Sequence, residues 1–123
     1  MNHIQDYIQK RLAQSTKNET VHDILLGCHP ADIIHFITWK ELLTDPLPNI
    51  ERVKKIMQKQ KVKLIINGNL SDTLIQVFMG TAIKLKKVFS IVVLDGFRTL
   101  KRDMKQNKGI AILLTRLEGE SHD

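Results

Sequence analysis

The stretch 67–73 carries the residue types best suited to hold a small ligand. Asn and Gly permit a positive backbone φ, and the stretch joins a strand-like run to a helix-like run. Ser71 is well placed to cap that helix, and free N–H groups at a helix start suit an anion. Asp72 already places a negative charge there, so the alternative is a capped turn without a ligand. The predicted ligand-binding residues are Asn67, Gly68, Asn69, Ser71 and Thr73.

A second candidate loop is Gly27–Pro30, where Cys28 and His29 are adjacent. A thiolate beside a base could act as a nucleophile, but side chains of neighbouring residues usually point apart and cysteine is commonly a small buried residue. Asp95 follows an apolar run and is either an acidic group at a catalytic edge or part of a turn with Gly96. Gly27, His29 and Asp95 are therefore further ligand-binding candidates, and no catalytic residue is predicted.

The five histidines and the single cysteine show no metal-binding spacing, such as HxxxH or paired CxxC motifs. No metal site is therefore predicted. One cysteine also leaves no intramolecular disulfide, which fits a reducing compartment. The apolar runs are too short to span a bilayer and no signal-peptide pattern begins the chain, so we expect a cytoplasmic protein without a membrane partner.

Basic residues are concentrated in two segments of this 123-residue chain, whose formal net charge is +6. Two basic segments between acidic ends are typical of a protein that binds a polyanion such as nucleic acid. The alternative is that they are the solvated faces of two surface helices, because aromatic residues for stacking on bases are missing. The polyanion-binding candidates are Arg52, Lys54, Lys55, Lys59, Arg98, Lys101 and Arg102.

An apolar stripe at three- and four-residue spacing predicts an amphipathic helix over residues 1–14. A short helix cannot bury its stripe alone, so it must pack back on the domain or against another chain. Residues 15–20 contain no apolar residue and are predicted as a polar linker. The rest divides into an α/β domain at 21–117 and a flexible tail at 118–123. The predicted interaction residues are Ile4, Tyr7, Ile8 and Leu12.

Strand-like and helix-like segments alternate along the domain. The patterns predict strands at 21–26, 33–38, 63–66, 88–94 and 110–115, helices at 49–60, 71–86 and 98–106, and an irregular loop at 39–48. The run 88–94 is apolar on both faces, which suits a strand covered on both sides. This order predicts an α/β fold with a small, open, mostly parallel sheet of about five strands, of Rossmann or flavodoxin type.

The segment "LIINGNLSDTLIQVFMG" resembles a pattern in flavoprotein-type α/β proteins. There a strand ends in a loop of the form T-x-S-x-N-T, followed by an apolar helix reading roughly LAKIALGIAD. Ser71 and Thr73 match the Ser/Thr positions, and Gly80 matches the helix glycine. Relatives with a similar N-terminal helix and tether occur in operons for bacterial microcompartments that use propanediol or ethanolamine. The resemblance implies FMN as a cofactor, or its loss where Gly27–Pro30 replaces the flavin loop, whereas the residues alone predict no cofactor.

The sequence favours a non-enzymatic accessory or assembly protein that acts through protein–protein contacts with a partner or a second copy. The stripe over residues 1–14 and a helix at 71–86 that is apolar nearly all round support this hypothesis. The resemblance implies a role in a microcompartment. Two alternatives stay open: a ligand-, nucleotide- or flavin-binding domain that uses the loop at 67–73, and a nucleic-acid-binding protein that uses the basic helix faces.

Overall fold

The computed structural model describes residues 3–14, 25–93 and 109–117. The described elements are, in chain order, α1 (His3–Gln14), a short 3-10 helix (Pro30–Asp32), β1 (Ile33–Thr38), α2 (Trp39–Thr44), α3 (Pro46–Lys59), β2 (Val62–Asn67), α4 (Asp72–Lys84), β3 (Phe89–Val92) and β4 (Ile110–Arg116). The predicted linker at 15–20, the basic helix at 98–106 and the tail at 118–123 lie outside the described residues.

The described strands form one mixed sheet in the order β1-β4-β2-β3. β2 and β3 are parallel, whereas β4 is antiparallel to both of its neighbours, β1 and β2. The predicted sheet of about five mostly parallel strands, Rossmann-like or flavodoxin-like, is therefore wrong. The described part of the fold is an α/β protein with a four-stranded sheet in which two of the three strand pairings are antiparallel.

The direction of β4 explains this error. The Gly109 carbonyl accepts a hydrogen bond of 2.8 Å from the Trp39 amide, at the end where β1 finishes, and the Ile110 carbonyl accepts one from Asn67, the last residue of β2. β4 thus starts beside the last residues of β1 and β2. It therefore runs back between these two strands, antiparallel to both. Its residues are buried on both faces, a pattern that parallel and central antiparallel strands share.

Residues 39–48 form two consecutive helix segments rather than the predicted irregular loop. Thr38 and Glu41 make a capping box at the start of α2: the Thr38 hydroxyl accepts from the Glu41 amide at 3.2 Å, and the Glu41 carboxylate accepts from the Thr38 amide at 2.9 Å. Pro46 and Pro48 lie in the first turn of α3, where proline disrupts no helical hydrogen bond. The prolines therefore begin a helix here instead of preventing one.

The core lies on both faces of the sheet. On one face, α2, α3 and α4 cover a large cluster that includes Trp39, Met57, Leu64, Phe78 and Leu114. On the other face, α1 and the turn at 25–27 cover a smaller cluster around Ile65 and Leu113. Leu25 and Leu26 are buried in that turn, so the predicted strand at 21–26 is wrong for its last two residues, and residues 21–24 are not described.

β3 lies at the edge of the described sheet, whereas the sequence predicted a strand covered on both faces. It is four residues long and none of its residues is fully buried. The fully buried strand is β4, from Ile110 to Thr115. Both segments are apolar in sequence, so their composition does not distinguish the edge strand from the central strand. Only the strand order does.

Candidate functional site

The loop after β2, the predicted ligand-binding loop, is held by its own side chains. The buried Asn67 amide donates through Nδ2 to the Ile110 carbonyl at 2.9 Å and accepts through Oδ1 from the Asn69 amide at 2.9 Å. The first bond ties the end of β2 to the start of β4, and the second closes an Asx turn. The Asn67 side chain is thus committed to the fold on both its donor and its acceptor side.

Gly68 occupies its position because of close packing against β3. Its amide donates to the Val92 carbonyl at 2.8 Å, and a Cβ here would meet the Val93 side chain and, at 3.2 Å, the Val92 carbonyl oxygen. Positive φ in the described chain occurs at Leu26, Gly27, Lys86 and Gly109, and not at residues 67–69. The turn therefore does not use the positive φ that its Asn and Gly residues permit, and the glycine is explained by space.

Ser71 caps α4, as the sequence predicted. Its hydroxyl accepts from the Leu74 amide at 3.3 Å, and Asp72 lies in the first turn, where a negative charge complements the helix dipole. Thr73 is exposed on the same turn. The described geometry accounts for Asn67, Gly68, Asn69 and Ser71 by turn formation and capping, the alternative that the sequence had left open.

The residues of the loop at 27–30 also have structural roles. His29 accepts through Nδ1 from the Ala31 amide at 3.1 Å and caps the short 3-10 helix. Cys28 is half-buried, and burial raises the pKa of its thiol, an effect that nearby Lys63 partly offsets. A raised pKa keeps the thiol protonated and therefore poorly nucleophilic. Gly27, at φ +83°, and the preceding Leu26, at φ +53°, both have a positive φ in the turn.

His35 is a half-buried polar residue that is not among the predicted site residues. It lies on β1, and burial together with the Arg52 charge lowers its pKa, while Glu41 partly opposes that shift. Within the described residues, its buried Nε2 atom has no hydrogen-bond partner. His35 is therefore neutral in the folded protein at neutral pH. The alternation of polar and apolar residues in 33–38 gave a weak signal of its partial burial.

The apolar stripe of α1 packs within the chain. Ile4 and Ile8 are buried in the smaller core cluster, and the Tyr7 ring lies 5.3 Å from the Phe36 ring, centroid to centroid. Of the two alternatives, packing on the domain or on another chain, the structure shows the first for these residues. The side chain of Leu12 lies outside the described part of the chain.

No described residue pairs with the outer edge of β3, and this edge displays the most exposed apolar group among the described strands. Val88 is 54% exposed, Ile91 42% and Val93 62%. The Val88 and Val92 carbonyls accept from Leu64 and Gly68 of the neighbouring segment, so by strand alternation Phe89, Ile91 and Val93 direct their backbone groups away from β2. The register of β3 against β2 is unbroken, whereas β1, at the opposite edge, pairs with two irregularities.

The basic residues of α3 fall on different sides of the helix. Arg52, Lys55 and Lys59 follow the spacing i, i+3, i+7 and are exposed, whereas Lys54 is half-buried on another flank. Lys87 donates from Nζ to the Gln60 carbonyl at 3.3 Å, which places the ends of α3 and α4 side by side. Asp95, Arg98, Lys101 and Arg102 lie outside the described residues.

Residues 3–14, 25–93 and 109–117 contain no group of three His, Cys, Asp or Glu side chains arranged to hold a metal ion. Among the helices described, none has both the length and the apolar character needed to cross a bilayer.

Comparisons with known proteins show the fold alone. No protein-family model matches the sequence, and no curated protein matches it. The crystal structure of the YueI protein from Bacillus subtilis is similar, with a TM-score of 0.57 and 18% sequence identity over 94% of this chain and 84% of that chain. YueI is described as neither a flavoprotein nor a microcompartment protein, so the comparisons give the sequence resemblance no support.

Proposed function

We propose that this chain is an assembly protein that acts by protein–protein contact, and that the contact surface is the open edge of β3. The partner is a second copy, whose own β3 pairs antiparallel with this one. The observation that carries the proposal is the regular, apolar edge of β3, at which Val88, Ile91 and Val93 are exposed. The stripe of α1 first suggested a contact function. Because it is buried within the chain, it is not part of the proposed contact surface.

Edge strands invite pairing because their outer backbone groups are unpaired, and proteins commonly blunt them with irregularities or charge. β1 carries two register irregularities, but β3 carries none in its pairing with β2. Phe89, Ile91 and Val93 are the residues whose N–H and C=O groups point outward by strand alternation. Strand addition through such an edge is a common form of protein recognition.

The outward residues favour a symmetric pair. If Ile91 lies opposite Ile91 of the second copy, Phe89 lies opposite Val93, and the same three residues of each chain form the ladder. A two-fold axis requires this self-complementarity, and closed two-fold dimers are the commonest oligomers. Ile91 and Val93 lie on the face of the sheet that α2, α3 and α4 cover, and the pairing would cover their side chains. It would also extend the sheet from the four described strands to eight.

The test is size-exclusion chromatography with light scattering over a concentration series. We expect the wild-type chain to form a dimer and the Ile91→Lys and Val93→Lys variants to be monomers. Ile91→Lys places two lysines opposite each other, and Val93→Lys places a charge opposite Phe89 on an edge strand, where charge opposes strand pairing. Ile34→Lys is the matched control, since Ile34 is 38% exposed on the other edge strand. That variant should still dimerise. A wild-type monomer at every concentration, or equal loss of the dimer in Ile34→Lys, would refute the proposal.

A further inference from the structure

A second surface, separate from the β3 edge, gathers positive charge from two parts of the chain. We infer that it binds the phosphate backbone of a nucleic-acid duplex without reading its sequence. The surface, called here the basic surface, consists of Lys55, Lys59, Lys84, Lys86 and Lys87.

The contact between Lys87 and the Gln60 carbonyl assembles this surface. It brings the loop after α4 against the end of α3, although the two residues are 27 positions apart in the sequence. The Leu64 amide also donates to the Val88 carbonyl at 2.9 Å, which fixes the same junction through the backbone. Lysines from two segments that are separate in the sequence therefore lie at one end of the molecule.

Basic residues greatly outnumber acidic residues in the two sequence segments that meet here. Residues 51–63 and 84–87 contain nine basic residues and one acidic residue, Glu51. Lys63 and Arg52 are not part of the surface, because Lys63 interacts with Cys28 on the other face of the sheet and Arg52 interacts with His35 on β1. Arg116, at the same end of the sheet, is engaged by the Ala31 carbonyl at 2.8 Å and by Asp32.

Helix dipoles explain only part of the pattern. A cation in the last turn of a helix complements the partial negative charge there, and Lys59 and Lys84 are so placed. That effect is confined to the last turn and does not require Lys55. Lys55 and Lys59 are about 6 Å apart along the α3 axis at 1.5 Å per residue, more than the roughly 3.4 Å between successive phosphates along one strand of a duplex, so the two lysines can contact different phosphates.

The aromatic residues point to a duplex rather than a single strand. Proteins that bind single strands without sequence preference stack bases on exposed aromatic rings. The described aromatic residues are buried or half-buried, and none belongs to the basic surface. A surface that offers cations without stacking groups is suited to the outside of a duplex, where the phosphates are continuous.

The experiment measures the binding of fluorescently labelled duplex RNA and duplex DNA of one sequence by anisotropy, across a KCl series. We expect the logarithm of the binding constant to fall linearly with the logarithm of the salt concentration, with a slope of about −0.9 per phosphate contacted. The variants are two double substitutions, Lys55→Gln with Lys59→Gln and Lys84→Gln with Lys86→Gln. Each should weaken binding and make the slope shallower by up to about 1.8. Preference for RNA or DNA would identify the natural duplex, and either supports the proposal.

Lys10→Gln with Lys40→Gln is the matched control, because both lysines are exposed, lie on α1 and α2, and change the net charge equally. This variant should bind the duplexes as the wild-type chain does. An equal loss in the control would show a general effect of net charge and overturn the proposal. Salt-independent binding would also overturn the proposal, as would weaker duplex binding in only one of the two lysine double variants. Tighter binding to phosphatidylcholine–phosphatidylserine vesicles than to either duplex at the same salt concentration would overturn it as well.

Discussion

Asn67 and Gly68 show how residues typical of a ligand loop can serve the fold. The Asn67 amide bonds to the Ile110 carbonyl and the Asn69 amide, and Gly68 leaves room for β3 to approach. The sequence correctly predicted a turn and the cap by Ser71. It could not show that the side chain of Asn67 reaches a residue 43 positions away, because that contact depends on where β4 lies.

Gly68→Ala should destabilise the protein. The new methyl group would press against the Val92 carbonyl and the Val93 side chain, and overpacking of this kind costs about 1–3 kcal/mol of unfolding free energy. Urea unfolding followed by circular dichroism measures the change. Gly80→Ala is the control, since a Cβ at Gly80 meets nothing within 4 Å and alanine favours the helix by up to about 1 kcal/mol. A neutral Gly68→Ala would contradict the close approach of β3.

His35 should make the protein less stable in acid. Burial lowers its pKa below the ordinary value of 6.5, so the unfolded chain takes up a proton at a pH at which the folded chain does not. The free energy of unfolding should therefore fall as the pH falls below 6.5, until the folded-state pKa is reached. Above pH 6.5 the His35 contribution to the pH dependence disappears.

The measurement for His35 is urea unfolding of the wild-type chain and of His35→Gln over a pH series. The other four histidines are present in both proteins, so the difference between the two curves isolates His35. We expect the variant to lose less unfolding free energy between neutral pH and pH 5. Parallel curves would show that His35 has the same pKa in the folded and unfolded states.

The helices illustrate at the element scale where local signals suffice and where they mislead. The capping box at Thr38 and Glu41 is readable from the sequence, whereas Pro46 and Pro48 lie in the segment predicted as an irregular loop. The Asn49 side chain donates to the Glu41 carbonyl at 3.0 Å and to the Asp45 carbonyl at 2.9 Å, which ties α2 to α3. Proline is disruptive in a helix interior and compatible with the first turn, so the outcome depended on where the helix begins.

Ile8→Ala tests whether α1 belongs to the core of its own chain. Ile8 is buried with Leu25, Ile65 and Leu113, so truncation should cost about 2–5 kcal/mol of unfolding free energy, measured by urea unfolding. Gln9→Ala is the control, because Gln9 is exposed on the same helix. A large loss of stability in Ile8→Ala with an unchanged oligomeric state is the expected result. A change of oligomeric state without loss of stability would instead support the intermolecular role that the sequence left open.

At the scale of the whole molecule, the two proposed surfaces depend on one arrangement. The order β1-β4-β2-β3 leaves β3 at an edge, and the parallel pairing of β2 with β3 brings the lysines before each strand to the same end of the sheet. The β3 edge offers apolar side chains and backbone groups, whereas the basic surface offers cations. Their variants change different residues, so the tests of self-association and duplex binding can fail or succeed separately.

The sequence by itself determined most described helices and strands, the cap at Ser71 and the stripe of α1, because periodicity and capping are local properties of the chain. Only the tertiary structure decided the direction of β4, the edge position of β3 and the meeting of Lys87 with Gln60. Burial on both faces makes a strand apolar whichever way it runs, so composition does not encode its direction. Distant residues meet according to the strand order, which no local pattern specifies.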